Sequence, residues 1–269
     1  MVHELRLFLV ALQFLTRLPI PAWVSQDDGF DPRWLNACVR YFPLVGVLVG
    51  ACGAAMLALA SLWWPPLVAA SLAVAATAWV TGAFHEDGLA DTFDALGGNV
   101  PRERALVIMK DSRIGTYGAV ALVFGLGLRV MLLASLAQRD PLHACLVMIG
   151  SHALGRAAAV GLMARLPYAG DAEHAKAKAL ATAVPRGSVV AAMGWALLLI
   201  AALMAAGQLT GAGDPGWVFR WPLAALSCVI VVRLLRRWLA RRLGGYTGDT
   251  LGAAEQLSEI AVLLVLAGG

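Results

Sequence analysis

Seven apolar runs account for most of this chain, and each is long enough, or nearly so, to cross a bilayer: residues 41–64, 67–84, 116–137, 142–164, 189–207, 217–235 and the weaker 249–266. About 20 residues of helix cover the roughly 30 Å hydrocarbon core while satisfying every backbone N–H and C=O internally. The pattern predicts an all-α, polytopic integral membrane helical bundle of about seven spans. An eighth segment, residues 5–20, is interrupted by Arg6, Gln13 and Arg17 and ends at Pro19 and Pro21, so it reads as an N-terminal interfacial helix. With 60% apolar residues and a mean hydropathy of +0.74, little polar chain is left over, and residues 1–269 read as one membrane-embedded domain.

Orientation follows from the basic residues. With the N-terminal arm inside, segments 1–40, 85–115, 165–188 and 236–248, counted with Arg233, hold 17 of the 21 Lys and Arg. The outer turns hold Arg139, with Arg220 nearby, as the positive-inside rule requires. Topology thus accounts for the net charge of +4, and the expected partner is the lipid bilayer rather than nucleic acid. The start, Met1 to Arg6, lacks the pattern of a signal peptide. Trp63, Trp64, Trp217 and Trp221 fall at outer span ends and read as interfacial anchors. Cys38, Cys52, Cys145 and Cys228 have no paired spacing and read as small buried hydrophobes. His3, His85, His143 and His174 form no ligand pattern.

Charge in a chain only 14% charged gathers in His85-Glu86-Asp87-Gly88-Leu89-Ala90-Asp91-Thr92-Phe93-Asp94 and just beyond it. On a helix, at about 100° per residue, Asp87, Asp91 and Asp94 fall within roughly 60° of arc. Such a stripe repels itself unless a cation sits on it, and hard carboxylate oxygens suit Mg²⁺. Glu86, about 100° away, is placed to add a ligand or to act as a base. Downstream, Lys110-Asp111-Ser112-Arg113 runs into Gly115-Thr116-Tyr117-Gly118 at the mouth of a span. Basic side chains, a hydroxyl and backbone N–H groups there suit a phosphate.

Within the fourth span, His152 and Arg156 are one turn apart beside Ser151. Ionisable groups at that depth face a cavity or a partner, and Arg156 is a candidate ligand for a phosphate or pyrophosphate. Arg129, about 20 Å from the inner end of its helix, is expected to snorkel outward. The last constellation, Gly244-Gly245-Tyr246-Thr247-Gly248-Asp249-Thr250-Leu251-Gly252, has four glycines that permit close backbone approach to a ligand. Asp249 is a helix N-cap or a substrate contact. The helix it opens carries Glu255 and Glu259, one of which completes the metal site or acts as a base.

These residues resemble the adenosylcobinamide-GDP ribazoletransferase family, also called cobalamin synthase. The resemblance rests on Phe14-Leu15-Thr16-Arg17-Leu18-Pro19, Arg40-Tyr41-Phe42-Pro43-Leu44-Val45-Gly46, His85-Glu86-Asp87-Gly88-Leu89-Ala90-Asp91, Arg102-Glu103-Arg104, Ile108-Met109-Lys110-Asp111-Ser112-Arg113-Ile114-Gly115, Pro167-Tyr168-Ala169 and Gly248-Asp249-Thr250-Leu251-Gly252-Ala253. One departure is Asp94-Ala95, where the family often has Asp-Gly. The resemblance implies a Mg²⁺-dependent phosphotransferase of the bacterial inner membrane, its site facing the cytoplasm. It joins adenosylcobinamide-GDP to α-ribazole, or its 5′-phosphate, and releases GMP. A homo-oligomer is compatible with it.

In that scheme Asp87, Asp91, Asp94 and Glu86 hold the metal, and Lys110, Arg113 and Arg156 offset the pyrophosphate. His152, Asp249 and Ser112 bind substrate. The ribazole 5′-hydroxyl attacks the phosphorus on the cobinamide side, and Glu86 or Asp111 takes its proton. Two rival classes are a membrane transferase of the CDP-alcohol or prenyl-diphosphate type and a cation transporter built on Glu255, Glu259 and His152.

Overall fold

A computed structural model describes residues 2–21, 24, 32–170, 184–213 and 215–268. His174 and most of the 165–188 loop lie outside them. Helices α1 (Val2–Leu15) and α2 (Pro32–Cys38) come first, and a 3₁₀ turn, Val39–Tyr41, leads into α3 (Phe42–Ala60). Then follow α4 (Pro66–Thr81), α5 (Phe84–Leu96), α6 (Arg102–Ile108), α7 (Thr116–Arg139), α8 (Pro141–Met163), α9 (Arg186–Thr210), α10 (Trp217–Arg242) and α11 (Gly248–Ala267). Prolines set several starts: Pro66 and Pro141 occupy first-turn positions where no N–H is needed, and the Asp140 carboxylate accepts from the Leu142 N–H at 2.8 Å.

Among the described residues six helical stretches are long and apolar enough to span a membrane, or seven when the bent pair α4 and α5 is counted as one span. The chain is a multi-pass membrane protein. Two helices form its centre: 83% of the apolar window of α8 and 78% of that of α11 are buried, against 22% in α7 and α9. α8 is reached by α3 at glycines. A Cβ on Gly46 would lie 2.5 Å from the His152 carbonyl oxygen and 2.8 Å from the Ala153 Cα, so the two backbones touch there. Small residues permit this approach, which in lipid drives helix association through close packing.

The second expected span, 67–84, differs in one respect. It stops at Thr81, and the chain turns by 89° into α5. Two consecutive left-handed residues make the turn, Gly82 (φ 68°) and Ala83 (φ 57°), a conformation that side-chain-bearing residues rarely adopt. The Thr16-Arg17 motif secures it. The Arg17 N–H donates to the Val80 carbonyl at 2.8 Å and its guanidinium to that of Gly82 at 3.4 Å, placing positive charge over the C-terminus of α4.

α1, 14 residues and about 21 Å long, is shorter than a span. It buries Leu7, Val10 and Ala11 and docks through Glu4, which accepts from the Tyr41 hydroxyl at 2.7 Å and from Arg40 Nη1 at 3.1 Å. These partners, the Tyr41 hydroxyl foremost, hold the Glu4 carboxyl below its ordinary value. A lowered folded-state pKa gives stabilisation that is present at neutral pH and lost as pH falls through that value. Protease protection of α1 is therefore expected to fall below roughly pH 4, and Glu4→Gln should lower it already at pH 7. Equal protection of both proteins across that range would contradict this docking.

Two expectations from the sequence are corrected by packing. Trp63 and Trp64 are exposed, as interfacial anchors should be, but Trp217 and Trp221 are buried. Trp217 Nε1 donates to the carbonyls of Leu203 and Met204, and its ring stands edge-on to Trp221 and His143. All four cysteines are free, and Cys52, unlike the other three, is exposed.

Candidate active site

At one end of the bundle α5 lies across the start of α11. A Cβ on Gly88 would fall 2.7 Å from the Asp249 carbonyl oxygen and 3.2 Å from the Gly252 Cα, so only glycines fit this crossing. It sets Asp249 beside the acidic face of α5. On that face Asp87 is exposed, and Asp91 and Asp94 are half-buried. Asp94 has a local partner: Oδ2 accepts from the Gly115 N–H at 2.7 Å and Oδ1 from the Gly118 N–H at 2.8 Å. The backbone donors at the mouth of α7 thus hold an anion, and it is the carboxylate of Asp94. Asp94→Ala should cost about 1–2 kcal/mol and speed amide exchange at Gly115 and Gly118; unchanged exchange at both would remove this capping role.

Lys110, Ser112 and Arg113 are exposed on the loop between α6 and α7. Arg113 closes back on Asp111, Nη2 to Oδ2 at 2.6 Å and Nε to Oδ1 at 3.0 Å. Those bonds hold the Asp111 carboxyl down at about 2. The neighbouring loops are stapled together by arginines. Arg102 Nε donates to the Leu243 carbonyl at 2.7 Å and Arg242 Nη2 to that of Gly98 at 2.7 Å. The Tyr246 N–H reaches the Pro167 carbonyl at 2.9 Å, and the Ala169 N–H reaches the Tyr246 carbonyl at 2.8 Å. Thr247 and Thr250 cap α11 reciprocally. Stretches far apart in sequence therefore meet at the start of α11.

Beneath this rim lies a buried ionic network. Arg129 does not snorkel: it is 1% exposed, with Nη1 3.1 Å from Glu86 Oε1 and Nη2 2.9 Å from Glu259 Oε2. Gln256 joins it, accepting from Arg129 at 2.8 Å and donating to Glu86 Oε1 at 3.2 Å and to Glu255 Oε2 at 3.0 Å. Arg156 Nη1 sits 2.7 Å from Glu255 Oε1 and 3.5 Å from Glu259 Oε1, and His152 Nδ1 meets Glu259 Oε1. Helices α5, α7, α8 and α11 are bound together by it. Sequence reading flagged Glu255, Glu259, His152 and Arg156 but missed Gln256 and misjudged Arg129. A charge that deep in a span was the available signal, because burial of an arginine demands carboxylate partners.

Two groups bear on a metal. Among the described residues, one trio brings its ligand atoms within 4.8 Å of one another: His152, Glu255 and Glu259, all buried. The trio fits Mg²⁺ poorly, since both carboxylates already carry guanidinium groups and Mg²⁺ prefers oxygen ligands with retained water. The α5 rim differs in its exposure. Asp87 is exposed and Asp91 half-buried one turn further on, so carboxylate oxygens there lie open to water as Mg²⁺ prefers, although with Asp249 they do not gather their ligand atoms within 4.8 Å of one another.

The profile of a family described as cobalamin-5-phosphate synthase matches residues 7–267. Among curated proteins, the adenosylcobinamide-GDP ribazoletransferase of Leptothrix cholodnii is 51% identical over 264 residues, covering 98% of this chain and 96% of that protein. The proteins of the same description from Shewanella pealeana and Albidiferax ferrireducens are 42% and 39% identical, each over 98% of this chain and over 95% and 98% of their own lengths. No solved structure matches.

Proposed function

This chain belongs to the cobalamin-5-phosphate synthase family, and from that premise we propose that it joins adenosylcobinamide-GDP to α-ribazole or its 5′-phosphate, releasing GMP. We place the reaction in a bacterial inner membrane, at its cytoplasmic face. The observation that carries this reading is that α5, the start of α11 and the two ends of the Lys110–Arg113 loop are tied together, through Gly88 against the Asp249 backbone, Asp94 to the Gly115 and Gly118 N–H groups, and Thr247 to Met109.

A ribose hydroxyl of the ribazole attacks the phosphorus bonded to cobinamide, the P–O–P bridge breaks, and GMP departs. The family description names a product bearing a 5-phosphate. That leaves the 5′ oxygen already esterified, so the nucleophile is another ribose hydroxyl rather than the 5′-hydroxyl expected from the sequence. Mg²⁺ held by Asp87 and Asp91 would neutralise the pyrophosphate and the charge growing on GMP. Lys110 and Arg113 add positive charge from the loop, Ser112 offers a hydroxyl, and Asp249 orients substrate at the rim.

For the base, Asp111 is disfavoured, because a carboxyl held at about 2 by Arg113 has little affinity for a proton at neutral pH. The other candidate, Glu86, has Oε1 fixed by Arg129 and Gln256 and keeps Oε2 without a hydrogen bond, but it is buried beneath the rim, so it can act as base only on a hydroxyl that reaches down to it. Arg129 and Gln256 then act as positioning residues for it. His152 and Arg156, both nearly fully buried, support α11 from behind. A transporter built on Glu255, Glu259 and His152 is disfavoured by the guanidinium groups closed over those carboxylates.

The test is purified protein in liposomes given adenosylcobinamide-GDP, Mg²⁺ and either form of α-ribazole. GMP release that requires both substrates supports the proposal. No GMP with either form, or cation flux without substrate, would refute it.

A further inference from the structure

The outer face of α10 is laid out for a lipid. Leu223, Leu226, Ile230 and Leu234 succeed one another at three- and four-residue steps, forming one exposed stripe. From Leu223 to Leu234 the helix rises about 16 Å, close to half of the roughly 30 Å hydrocarbon core and so the depth of one leaflet. The same face runs on into Arg237 and Arg241, where a groove of about 490 Å³ is lined by Leu234 and by Arg236, Arg237 and Arg241, with no carboxylate.

The guanidinium groups of Arg236 and Arg237 have no hydrogen-bond or ion-pair partner among the described residues. Arg241 donates a single bond, from Nε to the Arg237 carbonyl at 3.2 Å. Elsewhere at this end Arg102 and Arg242 are committed to backbone carbonyls. Topology asks only that positive charge lie inside. It does not require unpaired arginines at the foot of an apolar stripe one leaflet deep.

From this juxtaposition we infer that the face binds one anionic phospholipid, its acyl chains along Leu223 to Leu234 and its phosphate between Arg237 and Arg241. Each arginine near an anionic headgroup favours it by roughly fivefold. The site is separate from the catalytic rim and does not depend on the reaction proposed there.

The test is lipid retention by intact protein taken from nanodiscs containing equal phosphatidylglycerol and phosphatidylcholine, read by native mass spectrometry. Wild type should retain phosphatidylglycerol at least fivefold over phosphatidylcholine. In R237Q/R241Q the preference should fall to within twofold, while R139Q/R220Q, with the same charge change at the other end, keeps it. Equal retention of the two lipids by wild type, or a preference untouched in R237Q/R241Q, would overturn the inference. Loss of bound phosphatidylglycerol on adding millimolar inorganic pyrophosphate would assign the groove to a soluble ligand and also overturn it. The wild-type comparison decides the matter even if the double variant fails to purify.

Discussion

Asp91→Ala should lower GMP release by about a thousandfold or more, the scale on which removing a principal electrostatic contact to a transferring phosphoryl group acts. Asp91 sits one turn beyond Asp87 on α5 and is half-buried. Its loss should act on kcat rather than on folding, so the unfolding midpoint of the variant should stay near that of wild type. Asp94→Ala should behave in the opposite way, because both Asp94 oxygens are engaged by the backbone at Gly115 and Gly118. A modest loss of stability with most of the activity retained is expected there. Undiminished GMP release by Asp91→Ala would remove the aspartate from the mechanism.

Arg129→Met is expected to give the largest loss of stability. It leaves Glu86 and Glu259 buried without their shared cation, and breaking a buried pair from one side costs about 3–5 kcal/mol. In detergent this should appear as a fall of about 10 °C in the unfolding midpoint. The loss should be strongly non-additive: adding Glu259→Gln to Arg129→Met removes one of the two stranded charges and should recover part of the midpoint. A midpoint within a degree or two of wild type in Arg129→Met would mean that the network does not hold α5, α7 and α11 together.

Both expectations show how far the sequence carries. The spans were legible because a bilayer imposes one strong condition, a run of about 20 apolar residues, and local composition satisfies or fails it. The acidic stripe was legible because helical periodicity alone puts Asp87, Asp91 and Asp94 on one side. What neighbouring helices do was not. Asp94 shares the stripe with Asp87, but a contact 21 residues away turns it into a cap for α7. Trp217 occupies an outer span end, yet the facing carbonyls of Leu203 and Met204 draw it inside. Arg129 looked free to reach the surface, since its partners come from two other helices that only the fold brings near. The bend after Thr81 rests on Ala83 in a left-handed conformation, which residue identity does not announce.

Binding of Mn²⁺, standing in for Mg²⁺, is the most direct probe of where the metal sits, measured by electron paramagnetic resonance on purified wild type, Asp91→Ala and Glu255→Gln. With the metal at the α5 rim, bound Mn²⁺ should be seen in wild type and Glu255→Gln and be lost in Asp91→Ala. Retention in Asp91→Ala together with loss in Glu255→Gln would put the ion in the buried His152, Glu255 and Glu259 trio instead, and the aspartate rim would cease to be the centre of the reaction.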